Sequence, residues 1–271
     1  MTDTLPPARR RVAVCADDFG LTAGANAAIL ELGAQGALTA TSVAVDGPVA
    51  AIDASALGAQ RDRISVGLHL NLTENPRFAQ IRGIKGWILT SWLRRIDRKE
   101  LAQEIHRQLD GFESLFGAPP AHVDGHEHVH QFPGVREPLV EAISDRYGTS
   151  TVIRCTWPRA FRGSKAAIIG LLGSQALQRC MTARGLRGNS DFAGVYDLQA
   201  TSGFSGRMDA WLHSIRDGGL IMCHPEAPVA DASPARWHEY EFLRSSAWPA
   251  LLARRNIELS RPDRVLPMRA G

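Results

Sequence analysis

The chain has 271 residues, 44% of them hydrophobic, and a formal net charge of +3. That composition supplies one large apolar core or two modest ones and excludes a disordered or fibrous chain. The positive excess is scattered through short arginine clusters, which argues against a nucleic-acid-binding face, and no apolar stretch is long enough to span a bilayer. Cys15, Cys155, Cys180 and Cys223 are widely separated, and three of them sit in apolar runs, as reduced thiols do. The first eleven residues carry no apolar signal core. A soluble, cytoplasmic protein is therefore expected.

The elements alternate along the chain. Residues 12–16 form a short apolar run that reads as a strand ending in Asp17 and Asp18, and Thr22 opens an alanine-rich helix to about residue 35. A strand over 39–45 precedes a helix starting at Pro48, and another strand covers 64–72. Helices follow at 99–116 and 133–147, with a strand at 121–128 between them; a strand at 151–154, a helix at 208–215 and a strand at 219–223 complete the series. This rhythm predicts one α/β domain over residues 1–271, its parallel sheet covered by helices. The polar groups able to do chemistry fall at the carboxyl ends of the strands, and a closed TIM-like (β/α) barrel of seven or eight strands gathers them better than an open sheet. Residues 75–97, with Trp87 and Trp92, and residues 161–188 interrupt the rhythm as insertions long enough to be lids or partner surfaces.

Asp17 and Asp18 stand side by side, so one carboxylate can bind a metal while the other faces substrate or water. An isolated aspartate here would more often cap the next helix, but Thr22 is free to take that duty. His69 and Asn71 alternate with leucines on the third strand. Segment 122–130 holds four of the chain's nine histidines together with Asp124 and Glu127. On a regular strand His122, Asp124, His126, His128 and His130 would share one face, a row that needs a cation, a substrate or water to be tolerable. His126 and His128 can chelate one metal or divide between metal and substrate, and Asp124 can orient a ligand imidazole. His122 and His130 read as structural or surface groups. His224, before Pro225 at the end of the last strand, is a candidate acid or proton shuttle. One carboxylate and two imidazoles are a common ligand set for a catalytic divalent ion.

In order and spacing, Ala16-Asp17-Asp18-Phe19-Gly20, Gly67-Leu68-His69-Leu70-Asn71, the 122–130 segment and Cys223-His224-Pro225 resemble the YdjC-like carbohydrate deacetylases, which include chitooligosaccharide deacetylases and hopanoid-biosynthesis-associated members. The resemblance spans nearly the whole chain. It implies a (β/α) barrel, a divalent metal and hydrolysis of an N-acetyl group on an amino sugar. It implies Asp18, His69 and His126 as ligands, Asp17 as general base, His224 as general acid and Arg154 as the group that orients Asp17. Asp124, His128 and Asn71 are left to contact substrate or support the ligands. Magnesium follows from the resemblance, whereas two imidazoles favour zinc. The departures are Glu127 between two histidines and the two insertions. The partners expected are an N-acetylated carbohydrate and, compatibly, a second copy of the chain in a homodimer; Trp87 or Trp92 can stack on a sugar ring or serve as a local packing anchor.

Two other classes fit parts of the pattern. An amidohydrolase or phosphoesterase on a similar barrel would usually carry its His-x-His pair on the first strand, where this chain has two acids. A non-catalytic carbohydrate-binding barrel would keep the pocket but release no acetate.

Overall fold

Strand β1 (Arg10–Phe19) is buried from Val12 to Phe19, as expected of a strand covered on both faces. The structure, a computed structural model, describes residues 8–198, 202–229 and 233–264. After β1 come α1 (Ala23–Ala34), β2 (Ala40–Val43), α2 (Ala50–Gly58), β3 (Ser65–Leu70), α3 (Gly83–Trp92), α4 (Arg98–Phe116) and β4 (His122–Gly125). The second half contains α5 (Arg136–Tyr147), β5 (Val152–Ile153), α6 (Ser164–Leu171), α7 (Ser174–Ala183), β6 (Phe192–Ala193), α8 (Phe204–Ser214), β7 (Gly219–Cys223), α9 (Pro234–Arg244), α10 (Ala247–Arg254) and β8 (Ile257–Leu259). Local chemistry sets several boundaries. The Thr22 hydroxyl caps α1 by accepting from the Ala25 N–H at 3.0 Å, which leaves Asp17 and Asp18 free of that role. Asp97 caps α4, Leu101, Ile105, Leu109 and Phe112 bury one stripe of it, and Gly117 ends it in the left-handed conformation (φ 63°). Among the described residues no helix is long and apolar enough to cross a membrane.

All strand pairs are parallel, and seven strands run in the order β5-β4-β3-β2-β1-β7-β6. β8 pairs with the start of β1, on the edge that β2 takes further along. The expected closed barrel is not formed: β5 and β6, two residues each, do not pair. Segment 187–191 fills the gap. Arg187 offers its carbonyl to the Ile153 N–H, and the Asn189 side chain joins the backbone of Cys155 to that of Asp191. A side-chain amide thus replaces the ladder that would have closed the sheet, leaving a curled half-barrel open along one seam.

Strand alternation separates two faces. Val12, Val14 and Ala16 pack into the large core beneath the helices, while Ala13 and Cys15 belong to a smaller cluster with Ala40, Phe192, Leu220 and Met222 in the concave interior. Small residues inside leave room for polar groups. At Gly67 a Cβ would meet the His122 ring at 2.5 Å, so this glycine is what lets that imidazole lie across β3.

The two insertions are helical. Residues 75–97 contain a 3₁₀ turn (Pro76–Phe78) and α3, and 161–188 contain α6 and α7. Trp87 is fully buried edge-on against Phe78, so it anchors the first insertion and has no face for a sugar; Trp92 is partly exposed and leans on Phe132.

Candidate active site

β1 delivers two acids to one place by breaking its own alternation. In a regular strand neighbouring side chains point to opposite faces. Asp17 continues the interior series after Ala13 and Cys15, and Asp18 would then point outward. Instead Asp18 is left-handed (φ 71°), and the β1–β2 register shifts between Ala16 and Phe19. Aspartate tolerates this conformation better than most residues. Both carboxylates consequently line a cavity of about 590 Å³ at the carboxyl edge of the sheet, together with His69, His126, His128, His224 and Arg236.

The expected strand through His128 stops at Gly125. Gly125 is still extended, but Glu127 (φ 51°) and His128 (φ 60°) are left-handed, and the chain turns into a 3₁₀ segment, His126–Gln131. A Cβ on Gly125 would lie 2.9 Å from the His130 Cβ, so the glycine permits this tight return. The histidines therefore do not form a row. His122 lies under the site with its ring against Ser42, and burial pushes its pKa down to about 4. His130 is buried and bonded through Nε2 to the Arg154 carbonyl at 3.0 Å, again with burial lowering its pKa to about 4. His128 lines the cavity edge-on to Phe192, and burial holds it neutral.

His126 turns back toward β1. Its Nδ1 is 3.3 Å from Asp18 Oδ1, and His69 Nε2 is 3.4 Å from the same oxygen. These three residues form a cluster able to hold a metal ion. The arrangement fits a cation on two counts. Asp18 Oδ1 is buried with no hydrogen-bond partner, although it faces two ring nitrogens. The site also attracts positive charge: burial works against protonation of both imidazoles, yet Asp124 and Asp18 raise His69 to about 10, and Asp18 and Glu74 raise His126 to about 9. Burial also opposes ionisation of Asp18, but its contacts with His126 and His69 hold the carboxyl well below the usual range.

Behind the cluster lies a fully buried network. Asp124 Oδ1 accepts from His69 Nδ1 at 2.6 Å, which directs His69 Nε2 toward Asp18. Asp124 Oδ2 accepts from the Ser42 hydroxyl and lies 2.5 Å from Arg154. Arg154 also grips Asp17 with two bonds of 2.6 Å, one to each oxygen. One guanidinium thus ties the carboxylate facing the cavity to the one that orients His69. Asn71 does not line this cavity. It lies in an adjoining cleft, where it bonds the backbone N–H and the carboxylate of Glu74, whose other oxygen is 3.7 Å from His126 Nε2.

On the far wall His224 follows β7, its Nδ1 without a partner and its pKa lowered by burial. Its backbone N–H donates to Glu239, which also accepts from the Tyr196 hydroxyl at 2.6 Å. Arg236, one turn earlier on α9, donates to Asp18 Oδ2 at 2.7 Å. Sequence reasoning missed both residues, along with Ser42 and Glu74. The i, i+3 spacing of Arg236 and Glu239 on one helix was a readable signal, since such residues share a face.

Burial raises the Glu239 carboxyl to about 7. Between its unfolded value near 4.5 and this folded value the native state binds more protons than the unfolded chain, so this group makes stability fall as pH rises through that window. Glu239→Gln is expected to remove that contribution, about one proton of slope, from a plot of unfolding free energy against pH between 5 and 7.

A family model described as YdjC-like protein matches residues 11–254. A carbohydrate deacetylase from Homo sapiens is 29% identical over 309 aligned positions, covering 97% of this chain and 93% of that protein. A chitooligosaccharide deacetylase from Serratia marcescens is 37% identical over 143, covering 50% of this chain and 56% of its own length. Among solved structures, an Enterococcus faecalis V583 protein named for cellobiose-phosphate cleavage superposes with a TM-score of 0.68 at 20% identity, over 94% of this chain and 98% of the other. A peptidoglycan N-acetylglucosamine deacetylase shares the fold more distantly, with a TM-score of 0.52 at 12% identity over 94% of this chain and 87% of the other. Since the matched segment takes in every strand from β1 to β7 and each residue of the candidate site, the chain belongs to the YdjC-like protein family.

Proposed function

We propose that the protein is a metal-dependent carbohydrate deacetylase that hydrolyses the N-acetyl group of an amino sugar and releases acetate. The observation that carries this reading is the pairing of two differently used acids on one strand. Asp18 faces two imidazoles, while Asp17, one residue away, is held by a guanidinium at the same cavity. The names of the human and Serratia relatives point the same way.

Asp18, His69 and His126 would hold the divalent cation, which when bound polarises the acetamide carbonyl. Two ring nitrogens and one carboxylate oxygen suit zinc, and the family resemblance favours magnesium. Asp17 accepts the proton of the attacking water, its carboxylate aimed by the two Arg154 bonds. His224 donates a proton to the departing amine across the cavity. Glu239 fixes the backbone from which it projects. His128 and Asp124 support the reaction from the cavity edge and from behind His69.

The direct test is acetate release from N-acetylated di- and oligosaccharides after chelation and after return of magnesium, zinc or cobalt. Chelated protein is expected to be inactive and at least one ion to restore turnover. Acetate release that survives chelation would remove the metal, and none from any substrate would leave a binding protein.

A further inference from the structure

Two separate clamps hold Asp18. Its left-handed backbone (φ 71°) is a conformation that persists only where the surroundings enforce it. The buried Asn26 side chain does so from below: it accepts from the Gly20 N–H at 2.7 Å and donates to the Val49 carbonyl and to Asp53, which pins the turn after the acid. The carboxylate is clamped from the other side of the cavity. Oδ1 has no hydrogen-bond partner and faces His69 and His126, whereas Oδ2 accepts from Arg236 at 2.7 Å.

A closed circuit of contacts brings Arg236 there. The Thr22 hydroxyl, which caps α1, donates to Glu226 at 2.6 Å. The Ala227 N–H donates to the Gly24 carbonyl, and the Glu226 N–H to the Arg236 carbonyl. A Cβ on Gly24 would lie 2.8 Å from Glu226 and 2.9 Å from the Ala227 carbonyl oxygen, so this glycine lets the segment after β7 seat on the start of α1. The segment leading to Arg236 is thus fastened at Thr22, just beyond the acid that Arg236 grips. Two other acids feel its charge, but Glu226 is engaged by Thr22, and Glu239 by Tyr196 and the His224 N–H.

From this geometry we infer that Arg236 is a positioning residue for Asp18: by occupying Oδ2 it limits the carboxylate to one oxygen toward the cation. This rests on the metal-dependent deacetylase reading and adds how the ion keeps room to react. A carboxylate can take a cation with one oxygen or with both, and the second would fill a position that a catalytic site leaves open for water and substrate. The guanidinium acts in the same sense by charge, because its repulsion of a cation beside Asp18 opposes tighter binding.

Cobalt(II) is the probe, since its visible spectrum reports coordination geometry. Its Kd is read by competition with a chelator, beside kcat and KM for acetate release from N-acetylated oligosaccharides by the cobalt-loaded protein. In Arg236→Met the Kd is expected to match the parent's or fall below it, and the visible bands to weaken, as they do when coordination number rises. Turnover should drop about 10- to 100-fold in kcat with little change in KM, the range that outer partners of metal ligands command. Weaker cobalt binding overturns the inference, because Arg236 would then help to build the site rather than limit Asp18. A parent-like spectrum, or a parent-like kcat from an active parent, overturns it as well, and a parent that takes up no cobalt removes it along with the metal. If the cobalt-loaded parent releases no acetate, affinity and spectrum still decide the role of Arg236, and only the deacetylase reading falls. A thermal melt checks the fold, and Arg236→Gln, which removes the charge but keeps a polar group, is read in the same way should the methionine variant not fold.

Discussion

His126→Ala should abolish acetate release and strip the bound cation while the protein stays folded. His126 is partly exposed, in a turn outside the core, so its truncation removes little packing. Two of the three converging groups remain, but Asp18 and His69 alone leave one side of the site open. Turnover should fall on the order of 10³-fold, the scale seen when a transition-state charge loses a fixed partner. Elemental analysis of purified protein and calorimetric titration with zinc or magnesium check the second half of the prediction, and a thermal melt checks the fold. His128→Ala is the control: its ring lies against Phe192, and it is not one of the three residues that converge at Asp18, so its metal content should match that of the parent. Equal turnover and metal content in the His126 variant would exclude the proposed ligand set.

Arg154→Met should cost about 3–5 kcal/mol of stability, because removing one partner of a buried ion pair leaves the other charge uncompensated. Here two carboxylates, Asp17 and Asp124, lose the same guanidinium, and both are almost fully buried. The loss should depend on pH with a defined sign. Burial opposes ionisation of Asp124, but Arg154 first and His69 second hold its carboxyl below the ordinary value. A depressed acid contributes stability above its unfolded pKa near 3.9 and loses it as pH falls. The gap between parent and variant, read from denaturant unfolding, should therefore hold from neutral pH down to about 4 and shrink as pH falls further. Adding Asp124→Asn to the variant should recover part of the loss. A gap independent of pH would mean that Arg154 acts by packing and not by charge.

Several site positions were readable before any coordinates. Strand ends are where polar residues follow apolar runs, so Asp17, His69, Asp124 and His224 could be placed at one edge from local pattern alone. Freeing Asp18 from helix capping was also a local inference, since Thr22 is adjacent and the hydroxyl does cap α1. Regular strand geometry failed at the histidine segment. Extrapolated to His130 it predicts a row, and the left-handed Glu127 and His128 break that row after Gly125. Gly125 is the one residue type that permits the break, but that His130 is the group returning across it is decided by the fold.

Closure of the sheet was the other point beyond local pattern. The count and parallel direction of strands follow from alternating strand and helix signals, and a closed barrel was the natural extension. Whether the ends meet depends on two strands of two residues each and on Asn189 bridging them by its side chain. Arg236 and Glu239 belong with this class. Their shared helix face is readable from the i, i+3 spacing, but they lie over two hundred residues from Asp18 and reach its site only because α9 packs against α1.

From sequence alone, then, came the α/β class, the parallel strands, the family resemblance and the inventory of acids and imidazoles at the strand ends, because each is written in periodicity and short-range spacing. Tertiary structure decided which of the clustered histidines meets Asp18, that the sheet stays open, and that Arg236 of α9 reaches Asp18. Those outcomes depend on contacts between segments far apart in the chain, and local pattern carries no information about which distant surfaces will meet.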